Sequence, residues 1–271
     1  MSATKRRYEL SDEEWERVEQ YLPPDKRQGQ GRPAKDNRLM LNAILWIARS
    51  GAPWRDLPER YGPWQTVYSK FKKWDEQHVF EEIFAILSID ADYQDLSMDS
   101  TSIKAHEHSA GAKKGVNCEI NQEIGTSRGG KTTKIHAVVD GLGNPVHLQL
   151  SAGNMHDSKA AVDVLSHVMI RESVVQADRA YGTMKIKDYI TEQHATYNIP
   201  PKSNVKEPWP CDWWLYKERH LVECFFQKIK QFRRVATRYD KLASRFFSFV
   251  LLEAICILVK RYILQSFSNR P

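Results

Sequence analysis

Apolar residues recur every three to four positions up to about residue 88, and from about residue 93 they alternate or gather in short runs. The first spacing predicts helices and the second predicts strands. Ser11-Asp12-Glu13-Glu14 is a capping-box pattern with Leu10 placed as a staple, so a helix is expected over 12–22, ending at Pro23-Pro24. A second is expected over 37–50, with Leu41, Ile44, Leu45 and Ala48 inward and Gly51 as terminator. A third, over 64–75, carries Trp64, Val67, Tyr68, Phe71 and Trp74 at core spacing. Beyond the change of period, strands are expected at 95–104, 131–140, 145–151, 173–178 and 195–200, with Asp140–Pro145 turning a hairpin. Helices are expected at 157–170, 213–233 and 241–265. The pattern divides the chain into an all-helical domain, 1–88, and a mixed α/β domain, 89–271.

The helix over 213–233 carries the first candidate chemistry. At roughly 100° per residue, Tyr216, Arg219, Glu223 and Lys230 fall within an arc of about 60°. Leu221, Val222, Phe225, Ile229 and Phe232 lie on the opposite side. A carboxylate flanked by Arg and Lys can bind a metal ion while its neighbours hold phosphate oxygens. Two short apolar runs end in aspartates, Asp99 and Asp178. Two aspartates and a glutamate could together hold two divalent ions about 4 Å apart, the arrangement that drives in-line displacement at phosphorus. Oxygen-only ligation favours Mg²⁺ or Mn²⁺ over zinc. Each feature alone also has a plainer reading: a strand-end Asp serves as a turn or cap, and a mixed-charge helix face is often simply solvated.

The residues then show a family resemblance. The run Tyr216-x2-Arg219-x3-Glu223-x6-Lys230 resembles the signature around the catalytic glutamate of bacterial insertion-sequence DDE transposases, and more narrowly of the insertion-sequence-five group. Supporting stretches are Gly-Ala-Pro-Trp-Arg-Asp-Leu-Pro (51–58), Gly-Pro-Trp-Gln-Thr-Val-Tyr (62–68), Gly-Gly-Lys-Thr-Thr-Lys-Ile-His (129–136), Ala-Gly-Asn-Met-His-Asp (152–157), Ala-Asp-Arg-Ala-Tyr (177–181) and 232–241. The resemblance implies a ribonuclease-H-like catalytic core, a mixed sheet flanked by helices, behind an N-terminal helix-turn-helix-like DNA-binding domain. It implies Asp99, Asp178 and Glu223 as catalytic and metal-holding residues for two Mg²⁺ ions, with Mn²⁺ as substitute. Tyr216, Arg219 and Lys230 become transposon-end contacts. Arg179 stands where many relatives carry Lys. Lys70, Lys73 and Lys134 join the candidate DNA contacts, and the implied partners are double-stranded transposon ends, target DNA and a second copy of the chain.

Composition narrows the alternatives. A net charge of +6 suits a polyanionic partner. Cys118, Cys211, Cys224 and Cys256 include no C-x-x-C pair, which argues against a zinc site or a disulfide framework and fits a reducing cytoplasm; the resemblance implies nucleoid association when DNA is bound. The N-terminus lacks the apolar stretch of a signal peptide, and 246–259 is too short to span a bilayer and contains Glu253. The basic loop 25–35 and the polar segment 106–130, with Lys113, Lys114, Arg128 and the adjoining Lys131, are either linkers or phosphate contacts. His156-Asp157 reads as a helix cap with Asp157 at the N-cap, and neither His136 nor His156 is expected to touch metal. Trp213-Trp214 could stack on an unpaired base, with core packing expected for at least one of them. Two rival functions remain: a catalytically silent repressor, and a nuclease that cuts without joining.

Overall fold

The computed structural model describes residues 7–24, 36–109 and 122–268, and side chains as far as residue 262. The loop 25–35, Lys113, Lys114 and Cys118 lie outside the described residues. The chain forms two compact units: Met1–Leu87 with Gln231–Ala236 and Ser244–Pro271, and Ser88–Lys230 with Thr237–Ala243.

The first unit begins with α1 (Asp12–Glu19), α2 (Asn37–Ser50), α3 (Trp64–Glu76) and α4 (Val79–Leu87). The capping box forms in full: Glu14 N–H donates to Ser11 Oγ at 3.1 Å, and Ser11 N–H donates to Glu14 Oε2 at 2.7 Å. Gly51 ends α2 at φ +68°, a left-handed conformation that favours glycine. Helix α4 was not anticipated, although Val79, Phe80, Ile83, Phe84 and Leu87 carry the helical period and all are buried.

Among the described residues the second unit is built on a seven-stranded mixed sheet. Its strands are β1 (Asp95–Ala105), β2 (Gly125–Ser127), β3 (Gly130–Val139), β4 (Pro145–Ala152), β5 (Val174–Gln176), β6 (Thr196–Asn198) and β7 (Thr237–Arg238). β1, β3 and β4 run antiparallel in succession, and β5 and β6 then add parallel on the other side of β1. An order of β4-β3-β1-β5-β6, with only β3 reversed, is the ribonuclease-H-like topology. Helices α5 (Asp157–Ser166) and α6 (Met184–Glu192) cover one face of the sheet. Leu96, Met98, Val164, Val175, Ile186 and Ile190 close a core there. The sequence reading missed α6 and the two short strands β2 and β7.

The helix expected over 213–233 is not continuous. It divides into α7 (Trp213–Tyr216), a 3-10 turn (Lys217–Arg219), α8 (His220–Ile229) and, after Lys230, α9 (Arg233–Ala236). Val222, Phe225 and Ile229 are fully buried, so the apolar back of α8 is as expected.

The chain rejoins the first unit with α9 and with α10 (Ala243–Ser268). This corrects the assignment of everything beyond residue 88 to one domain. Phe249 of α10 stacks on Phe71 of α3 at 4.6 Å between centroids, and Tyr262 Oη donates to the Leu87 carbonyl at 3.1 Å. Arg245 forms a buried ion pair with Asp75, whose other oxygen accepts from Ser248 Oγ at 2.5 Å. A Cβ on Gly51 would stand 2.8 Å from Arg233 Cβ, so α9 sits tight against the end of α2. Phe80 of α4 and Phe249 of α10 both meet Phe71, so α10 shares in covering the apolar face of α3. Among the described residues no helix is long and apolar enough to cross a membrane.

Candidate active site

The alternation of β1 divides its side chains between two faces. Leu96 and Met98 enter the core under α5 and α6. Asp99 and Thr101 therefore take positions on opposite-parity residues, on the face reached by α8. β5 repeats this logic, with Val175 and Ala177 in the core and Asp178 on the other parity. Ser97 pairs with Gln176 in the parallel ladder, and two residues further along each chain stand Asp99 and Asp178. Asp99 within β1 and Asp178 just past the end of β5 thus come near enough for their charges to interact.

Asp99 is largely enclosed. Its Oδ1 accepts the Ser100 N–H at 2.8 Å, and its Oδ2 accepts Arg219 Nη1 at 2.9 Å. Burial pushes its carboxyl above the usual range; the Ser100 N–H and Arg219 oppose the rise, and the charge of Asp178 adds to it. Asp178 caps the 3-10 turn Arg179–Tyr181, accepting the Ala180 N–H on Oδ1 at 2.6 Å. The cap and site readings of Asp178 are therefore compatible.

Arg219 joins the helix to the strand. Its Nη1 holds Asp99, its Nη2 pairs with Glu223 Oε1 one helical turn on, and its guanidinium carbon lies 5.7 Å from the centre of the Tyr216 ring. Lys230, the C-cap of α8, donates from Nζ to Thr101 Oγ1 at 2.5 Å, and burial lowers its pKa. Two cations that precede and follow Glu223 thus dock on Asp99 and Thr101, neighbours on one face of β1.

The other candidates divide. Arg179 and Lys73 are exposed. Lys70 places its ammonium 5.1 Å from the centre of the Trp74 ring. Lys134 is turned inward, donating to the Met155 carbonyl at 2.7 Å and to Asp157 Oδ1 at 2.8 Å, with 13% of its side chain exposed. His156, not Asp157, is the N-cap of α5, and Asp157 is the first helical residue. His136 is buried, sharing a 2.7 Å hydrogen bond with Ser151 Oγ. Trp213 and Trp214 are 58% and 79% exposed, so neither is a core residue. Sequence reasoning missed Ser100, Thr101 and Tyr181; the period of two already placed Thr101 on the face of Asp99.

Among the described residues no three His, Cys, Asp or Glu side chains converge closely enough to hold an ion. The guanidinium of Arg219 stands between Asp99 and Glu223. The donor chemistry nonetheless fits a hard divalent cation: every acidic group is an oxygen donor, and the paired aspartates concentrate negative charge that Arg219 only partly offsets.

Residues 10–84 match a family described as "Putative transposase of IS4/5 family", and residues 90–208 match one described as "Transposase DDE domain". The chain is 38% identical over 133 residues to the "Putative transposase for insertion sequence element IS6501" of Brucella ovis, covering 48% of this chain and 99% of that protein. The chain belongs to the IS4/5 group of insertion-sequence transposases. It is also 44% identical over 105 residues to the "Uncharacterized protein y4sN" of Sinorhizobium fredii, covering 39% of this chain and 83% of that one. Among solved structures, a pre-cleavage Mos1 transpososome aligns over 88% of this chain and 82% of its own at 9% identity, with a TM-score of 0.27. That likeness is too distant to add to the strand topology above. The DDE match spans both aspartates of this transposase and stops before Glu223, whose place in the site rests on Arg219.

Proposed function

We propose that this transposase binds the terminal inverted repeats of its own element, cleaves the DNA there, and joins the freed 3′-hydroxyls to target DNA in the same site. The observation that carries the reading is the nearness of Asp99 on β1 to Asp178, two residues past the end of the adjacent strand β5, with Arg219 linking Asp99 to Glu223. Asp99, Asp178 and Glu223 would hold two Mg²⁺ ions, or Mn²⁺ in their place, which when bound activate the attacking oxygen and stabilise the leaving one. Arg219 and Lys230 are the phosphate contacts: a guanidinium that already grips carboxylates in a two-pronged manner suits phosphate oxygens equally well. Tyr216, edge-on to Trp213 at 5.8 Å, lines the same approach. Its role is contact with the DNA end, and the chemistry needs no covalent protein–DNA intermediate. Joining two ends in concert calls for at least a dimer.

The test incubates the purified protein with labelled DNA from the element ends, a target plasmid and Mg²⁺, beside Asp99→Ala. Cleavage and joined products that disappear in the variant are the expected result. Cleavage without joining would replace transposase by nuclease, and tight binding without breakage in Mg²⁺ or Mn²⁺ would leave the repressor.

A further inference from the structure

The stretch Ala152–Asp157 has no task in the chemistry above, yet the sheet is shaped to receive it. A Cβ on Gly153 would stand 1.8 Å from Thr132 Oγ1 and 2.6 Å from the Thr132 carbonyl, while the Gly153 N–H donates to that carbonyl at 3.1 Å. Only glycine lets the chain run so close to β3. A Cβ on Gly125 would likewise meet Asn154 Oδ1 at 2.1 Å. Two close approaches thus hold the turn after β4, and α5 begins with His156 as its cap. The outcome is the placement of Asp157. Its Oδ1 accepts Ser100 Oγ at 2.6 Å and Lys134 Nζ at 2.8 Å.

Ser100 is the neighbour of Asp99 and points to the opposite face of β1. Its hydroxyl is tied to Asp157 behind the strand, while its N–H holds Asp99 Oδ1 in front. Tyr181 closes the same knot from the turn that Asp178 opens. It is 1% exposed and within electrostatic reach of Asp99, Asp157 and Asp178. The carboxylate of Asp157 cannot be a spectator there. It is held charged by the hydrogen bonds from Lys134 and Ser100 against the cost of its own burial.

Building on the reading of Asp99 as a metal-holding carboxylate, we infer that Asp157, held by Lys134, is a positioning residue that acts through Ser100 to set Asp99 for its ligand. Lys134, a candidate DNA contact on sequence grounds, is thereby reassigned to this internal support.

The experiment measures Mn²⁺ affinity by electron paramagnetic resonance on the full chain bound to end DNA. The proteins are the wild type, Ser100→Ala, Ser100→Thr, Asp157→Asn and Asp99→Ala, each with thermal melting and end-DNA affinity recorded. Supporting partners of metal ligands typically contribute about 10- to 100-fold in affinity, so Ser100→Ala and Asp157→Asn should each weaken Mn²⁺ binding by about tenfold or more. DNA affinity and melting should stay near wild type, cleavage kcat should fall without a change in KM, and Ser100→Thr should restore binding by returning the hydroxyl. Ser100→Ala keeps every charge, so it reads the link even if Asp157→Asn fails to fold. A folded Ser100→Ala with wild-type Mn²⁺ affinity and kcat overturns the inference. If Asp99→Ala binds Mn²⁺ as the wild type does, the metal-site reading itself fails, and the inference with it.

Discussion

Arg219 Nη1 lies 2.9 Å from Asp99 Oδ2 while Nη2 of the same guanidinium pairs with Glu223, so one cation is shared by two of the three carboxylates. A divalent ion and Arg219 want the same oxygens, and a phosphate and the carboxylates want the same guanidinium. Arg219→Ala is therefore expected to tighten Mn²⁺ binding to the DNA-free protein by about tenfold, equivalent to ~1.4 kcal/mol, and to weaken end-DNA binding. Calorimetric titration with each ligand separately checks both signs. A loss of Mn²⁺ affinity would mean that Arg219 organises the carboxylates rather than competing for them.

Lys230 is parked on Thr101 at 2.5 Å, where burial lowers its pKa. If it is transferred to a phosphate on binding, Lys230→Ala should weaken end binding, and the slope of log K against log salt should shrink by about 1. Thr101→Val removes the parking partner but no cation. It should leave the slope intact, and a slope unchanged in both variants would take Lys230 out of the DNA interface.

The elements legible in the sequence were those with strong local signals. Ser11 to Glu14 specified a cap that forms in full, and the spacing of Leu41 to Ala48 set α2 to the residue. The two aspartates were legible because each follows a short apolar run. What was not legible depended on pairing between distant segments. β7 is two residues long and exists only because Lys104 and Ala105 offer it a partner. Asp157 looked like a cap because its partners, Ser100 and Lys134, are 57 and 23 residues away in the chain. The site helix looked continuous because its apolar residues keep one helical period throughout; the 3-10 turn at Lys217–Arg219 leaves no mark in periodicity.

The C-terminal helix was assigned to the wrong unit for the same reason. Apolar content announces that a segment is buried without saying against what. Phe249 is fully buried on Phe71, and Arg245 closes over Asp75. Residues 1–88 expressed alone are therefore expected to show poorly cooperative melting. Phe249→Ala in the full chain should destabilise the helical unit by about 3–5 kcal/mol, the usual cost of a vacated aromatic site. Hydrogen exchange resolved by segment provides the check: protection should drop in α2 and α3 and hold in β1 and β3. A loss confined to α10 would contradict the shared core.

His136 gives the protein a defined response to acid. It is 1% exposed on β3, two residues from Lys134 in sequence, and burial lowers its pKa from 6.5 to about 4, with Asp157 opposing and Lys134 assisting. Between those two values the unfolded chain takes up a proton that the folded chain refuses. Stability from this group is therefore complete above about pH 6.5 and is lost as pH falls toward about 4, at about 1.4 kcal/mol per pH unit and about 3 kcal/mol in all. Other groups titrate in the same range, so the useful quantity is the difference from His136→Gln, which keeps a polar partner for Ser151 and carries no proton to take up. Guanidinium denaturation at pH 7 and pH 5 should show the wild type losing about 2 kcal/mol more than the variant over that interval. Equal losses would mean that His136 protonates in the folded sheet without penalty, and that the bond to Ser151 survives its charge.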